Sequence, residues 1–154
     1  MKQIIKTALL VAACAFIVSL VYNKLLIPRG DDILLSVPVQ SVELAGETIR
    51  VTVADSPEER EVGLSGREGL ARDEGMLFIF PEDRKYAFWM KDMSFSLDIL
   101  WLSAEGVVVD MQQGISPDTY PATFTPRTKA RYVLELPAGW VKEYNVRVGD
   151  IARF

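Results

Sequence analysis

The sequence predicts a mainly β protein: a compact antiparallel β-barrel or sandwich with two short helices, preceded by an N-terminal transmembrane helix. Three observations lead there. Residues 75–102 hold three short apolar runs, Gly75–Pro81, Tyr86–Met93 and Leu97–Leu102, separated by turn-forming polar residues, as consecutive strands of an antiparallel core do. Short strand-like segments recur along the rest of the chain, with helices only as punctuation. Ahead of them, Ile4 to Tyr22 is an apolar stretch broken by one charge, Lys6, and close to the roughly 20 residues a membrane-spanning helix needs.

The chain divides into a signal-anchor or signal segment (1–27), a tether (28–38) and a β-domain (39–154). Ala8 to Val21 carries no polar stripe, as a soluble helix would. Three fates compete for this segment. A cleaved signal suits the basic start, but the small-residue pattern Ala13-Cys14-Ala15 comes early and the apolar run continues past it. Val11-Ala12-Ala13-Cys14 resembles a lipobox, yet apolar Ala15-Phe16-Ile17-Val18 follows where a lipidated chain normally starts with a polar tether. An uncleaved anchor accommodates all of these features. Each fate exports the domain, which places it on the periplasmic or extracytoplasmic side of the cytoplasmic membrane, held through residues 4–22, or secreted or lipid-anchored after processing.

Beyond residue 38, Val39–Leu44 and Thr48–Val53 read as a hairpin joined through Ala45-Gly46-Glu47, with Ile49, Val51 and Val53 on one face. Asp55 or Ser56, Pro57 and Glu58-Glu59 open a short helix that Gly63 stops. A glycine-rich loop, Ser65 to Gly75, delivers the chain to the central runs. Val107–Met111 follows as a strand. Residues 112–129, with prolines at 117, 121 and 126, read as a long excursion. Arg131–Leu136 alternates as a strand, Pro137 to about Tyr144 holds a second short helix, and Val146–Ile151 turns into a last strand.

Composition excludes several functions. Without residues 1–30 the chain has 13 basic and 21 acidic residues, net −8, a surface unsuited to nucleic acid. There is no histidine, and the single cysteine, Cys14, lies in the apolar segment, so histidine-based catalysis, histidine metal sites and disulfides are excluded. No phosphate-binding glycine pattern or calcium loop appears, and no cofactor or metal is called for. Carboxylate chemistry, Lys/Arg electrostatics, or binding without reaction remain.

The polar residues inside the apolar stretch are the candidates for a site. Leu97–Leu102 is apolar on both faces, so Asp98 should be buried, either as an anchor accepting backbone N–H bonds or an arginine, or as a site carboxylate with a raised pKa. Trp89 and Lys91 share a strand face. They form either a platform with a cation for a sugar or an anionic ligand, or a core indole with a snorkelling lysine. Arg67, on the glycine loop, is a carboxylate partner or an anion clamp. Arg67, Trp89 and Lys91 are expected to border one pocket with Asp98 at its floor.

Gly63-Leu64-Ser65-Gly66-Arg67-Glu68, Asp73–Phe80, Phe88-Trp89-Met90-Lys91-Asp92, Leu97-Asp98-Ile99 and Val148-Gly149-Asp150 together resemble the DUF192 (UPF0127) family of small bacterial and archaeal domains, many of them exported. The likeness runs from about Glu47 to Ile151, with Ser96 where the family usually has proline. It implies a compact β-rich fold and supplies no activity. The expected function is therefore an exported, membrane-tethered module that binds an unknown small molecule or envelope component. The alternative is a carboxylate-dependent hydrolase of an envelope glycan.

Overall fold

The computed structural model describes residues 40–154. The expected span over residues 4–22, Cys14 and the tether lie outside them. No helix among the described residues is long and apolar enough to cross a membrane.

The fold is mainly β: a six-stranded sheet, a two-stranded sheet and two short helices. β1 (Gln40–Leu44) and β2 (Glu47–Ala54) form the hairpin read from the sequence. Ala45 and Gly46 both take positive φ in its turn, which suits the twist of the flanking strands. α1 (Pro57–Val62) has the caps its sequence advertises. The Ser56 hydroxyl accepts a hydrogen bond from the Glu59 amide while the Glu59 carboxylate accepts one from the Ser56 amide, and Gly63 ends the helix at φ 53°. β3 (Glu74–Arg84), β4 (Phe88–Trp89), β5 (Leu97–Leu102), β6 (Val108–Ile115), β7 (Thr123–Phe124), β8 (Ala130–Pro137) and α2 (Trp140–Glu143) complete the order.

The main sheet runs β1-β2-β3-β8-β5-β6, and β4 pairs only with β7. This corrects the expectation of an antiparallel barrel or sandwich: the sheet is mixed and does not close into a barrel. β2 and β3 are parallel, because α1 and the glycine loop between them carry the chain back to the end of the sheet from which β2 started. The three apolar runs of residues 75–102 are not three consecutive strands. β8 lies between β3 and β5, and the middle run contributes only Phe88–Trp89, to the smaller sheet.

The central strands are buried on both faces. Leu77, Leu100, Leu134 and Leu136 point into a core closed by Trp140, Val141 and Val146. Met76, Phe78, Ile99, Trp101 and Val133 point into a second core, with Leu64, Met90 and Phe88. The period of two along each strand separates the two sets. The indole of buried Trp101 donates to the Tyr86 carbonyl at 2.9 Å, pinning the segment before β4 to the main sheet.

Residues 146–151 do not form the strand their alternation suggested. The chain end instead links the two edge strands. Glu43 and Arg153 exchange backbone bonds of 2.8 and 2.9 Å, while Asp150 accepts from Val108 and Ala152 donates to Gly106. At Gly106 (φ 79°) an added Cβ would collide with the Ala152 carbonyl, whereas at Gly46 (φ 86°) nothing stands within 4 Å. Gly106→Ala is therefore expected to destabilise by about 2–3 kcal/mol in urea unfolding, and Gly46→Ala, with backbone strain alone, by about 1 kcal/mol.

Candidate functional site

On the second core's side of the sheet, the surface opens into a cleft of about 150 Å³. Its floor is set by strand register. Glu135 of β8 sits between Met76 of β3 and Ile99 of β5, so its side chain emerges on the face that carries Phe78 and Trp101. One wall is aromatic: Phe80 and Tyr86 stack with centroids 3.5 Å apart, and Phe88 meets Phe78 edge-on at 4.9 Å. The other wall is the end of α1 and the turn after it, Arg60 to Ser65. Ser65 donates to the Lys91 carbonyl and Gly66 to the Asp92 carbonyl, stitching that turn to the chain leaving β4. At the rim Trp89 is half exposed, with Tyr120 edge-on at 6.1 Å and the Lys91 ammonium 6.0 Å from the indole centroid.

Glu135 is only 5% exposed, and among the described residues no hydrogen bond or ion pair reaches its carboxyl and no fully buried side-chain oxygen is left unpaired, so the carboxyl opens onto the cleft. Burial pushes its pKa up to about 8, so the group is mostly protonated at neutral pH. The sequence reading did not single it out. Arg131, Val133 and Glu135 alternate with Tyr132, Leu134 and Leu136, and that alternation assigns a strand without saying which set is covered. The signal was available: Glu135 is flanked by Val133, Leu134 and Leu136, the same two-sided apolar setting that drew attention to Asp98.

Of the four residues expected at one pocket, Trp89 and Lys91 line the cleft, and Arg67 and Asp98 do not. Arg67 is exposed; only its backbone takes part in the stitch, its carbonyl accepting from the Ser94 hydroxyl. Asp98 pairs in register with Leu136, which puts it on the opposite face from Glu135. It is fully buried there, accepting from the Gly114 amide at 2.8 Å and the Val141 amide at 2.9 Å. Its geometry is that of a backbone anchor, the first of its two readings.

The other buried carboxylate is also satisfied. Asp110 accepts from the Arg127 side chain and backbone amide, and that hydrogen-bonded guanidinium holds its carboxyl below the usual carboxylate range. This pair fastens the excursion after β6. No cluster of three potential metal ligands occurs among the described residues.

Comparison with known proteins agrees with the fold. The family model DUF192, described as "Uncharacterized ACR, COG1430", matches residues 40–154. A candidate transcription regulator from Sinorhizobium meliloti 1021 is 36% identical over 73% of this chain and 91% of its own, with a TM-score of 0.69. A protein of unknown function from Novosphingobium aromaticivorans DSM 12444 is 21% identical over 79% of this chain and 89% of its own, with a TM-score of 0.74. No curated protein matches the chain.

Proposed function

This chain belongs to the DUF192 family, and from that premise and the shape of the cleft we propose that it is a binding module for a small organic ligand, presented at the cell envelope. One observation carries the reading: a buried carboxyl without a protein partner forms the floor of an aromatic-walled cleft. Buried polar groups are normally hydrogen-bonded, and one left open toward a cleft is suited to a ligand's polar group. The aromatic wall supplies apolar contact, and a volume of about 150 Å³ has room for a benzene-sized body. The address rests on the apolar segment of residues 4–22 and the tether that follows.

A hydrolase remains the second reading, because a carboxyl kept protonated at neutral pH can act as a general acid. Glu61, on the cleft wall, would be its partner carboxylate. The description of the S. meliloti protein does not transfer: residues 31–154, at net −8, lack the cationic surface that phosphate contacts require.

A fragment screen on the full-length chain by ligand-observed NMR tests the proposal. Hits should compete for one site and weaken at least tenfold in Trp89→Ala. Trp89 and Lys91 are exposed, so Trp89→Ala and Lys91→Ala should each change stability by less than about 0.5–1 kcal/mol. Hits that ignore both substitutions would reject the cleft as the site, and turnover of a glycan lost in Glu135→Gln would establish the hydrolase instead.

A further inference from the structure

We infer that the cleft selects an organic cation bearing N–H donors, an amidinium, guanidinium or primary ammonium on a small apolar body, with its charge seated on the Glu135 carboxyl. This rests on the ligand-binding reading above and names the chemistry of that ligand.

The groups around the floor leave the Glu135 carboxyl without a protein cation of its own. β3 and β5 place only Met76 and Ile99 beside Glu135 in register, neither of them titratable. The charged and titratable groups of the surrounding elements are Arg60 and Glu61 of α1, Tyr86 before β4 and Lys91 after it. Neither cation bonds the Glu135 carboxyl. The Arg60 guanidinium donates to the carbonyls of Asp55 and Ile79 and lies over the Phe80 ring at 5.2 Å, and the Lys91 ammonium stands by Trp89 at the rim. The aromatic wall already holds a guanidinium on one of its π faces, and such faces attract cations rather than anions. A ligand cation would gain a charge-assisted bond at the floor, bidentate for an amidinium or guanidinium. An anion would gain one bond from a protonated acid and no charge complement there.

Seating a cation requires the carboxyl to ionise. The ligand keeps its own protons, and the Glu135 proton leaves to buffer, one per ligand bound. With the carboxyl titrating at about 8, ionising it at pH 7 costs about tenfold in affinity, which a desolvated ion pair can exceed. Affinity for a permanent cation should thus rise about tenfold per pH unit up to roughly pH 8 and level off above it.

The test uses three planar probes of nearly one shape, benzamidinium, benzamide and benzoate, titrated calorimetrically into the full-length chain between pH 6 and 9 in two buffers of different ionisation heat. Benzamidinium should bind at least tenfold tighter than benzamide at pH 8, show the stated pH dependence and release close to one proton near pH 7. Glu135→Gln, which keeps the shape of the protonated acid, should remove the preference for the cation and its pH dependence while leaving benzamide binding within about threefold. Agmatine and a capped arginine peptide, run alongside, distinguish a free amine from a side chain of another protein by which binds tighter. Benzamide or benzoate binding as tightly as benzamidinium would overturn the cation and leave the ligand-binding reading standing. Failure of benzamidinium to bind, with fragment hits still competing at the cleft, would do the same; failure of both would remove the two together.

Discussion

Replacing Asp98 by alanine should cost the fold about 3–5 kcal/mol, a large part of what a domain of this size has to lose. Its carboxylate is fully buried in the middle strands and accepts the amides of Gly114, near the end of β6, and Val141, in the first turn of α2. The residue preceding α2 is Gly139, which has no side chain to cap the helix, so Asp98 supplies the cap from across the core. Alanine leaves the buried Val141 N–H unpaired, at about 1–3 kcal/mol, frees the part-buried Gly114 N–H at a smaller cost, and leaves a void where the carboxylate stood. Asparagine can still accept one of the two bonds but turns an NH₂ toward the other donor, so Asp98→Asn should fall between. Urea unfolding monitored by circular dichroism measures both. A loss below 1 kcal/mol for alanine would mean that Asp98 does not hold α2 and β6 together.

That anchor shows what could be read in the sequence and what could not. The hairpin and α1 were legible because their signals are local: alternation around Ala45-Gly46, and a serine, a proline and a glutamate at capping spacing before Gly63. The burial of Asp98 was also legible, since apolar neighbours on both sides of a short strand imply cover on both faces. Which face it occupies was not. That depends on β8 inserting between β3 and β5, a pairing of residues far apart in sequence that no local pattern encodes. The same blindness hid the parallel β2–β3 pair and the linking role of residues 150–153, whose alternation looks like that of any edge strand. Trp89 and Lys91 line the cleft, although the shared strand face that suggested them does not exist: β4 ends at Trp89 and Lys91 lies in the turn after it. Arg67 was drawn in by its glycine-rich setting, yet there the backbone, not the guanidinium, makes the tertiary contact. Glu135 is not legible in the same way, because the alternation of Arg131–Leu136 does not say that β3 and β5 flank it.

The second large effect belongs to Glu135. Glu135→Gln is expected to stabilise the protein by about 3 kcal/mol at pH 7, an unusual sign for a substitution in a buried strand. The carboxyl titrates near its ordinary 4.5 in the unfolded chain and at about 8 in the fold. Below pH 4.5 both states are protonated and the group imposes no penalty. As pH rises toward 8 the unfolded state ionises first and binds fewer protons, so stability falls by about 1.4 kcal/mol per unit, reaching about 5 kcal/mol above pH 8. Glutamine keeps the shape and neutrality of the protonated acid and has nothing to titrate. The difference between variant and wild type should therefore be near zero at pH 4, widen through neutrality and flatten above pH 8. Asp73, Glu59 and Asp110, whose carboxyls are held low by hydrogen bonds, act at the acid end in both proteins and cancel in that difference. Denaturant unfolding at pH 5, 7 and 9 reads it directly. A difference that does not change with pH would mean the carboxyl is solvated or already paired in the fold, and the cleft would lose its distinguishing group. A widening difference would mark Glu135 as a residue retained against the interest of stability, as binding groups often are.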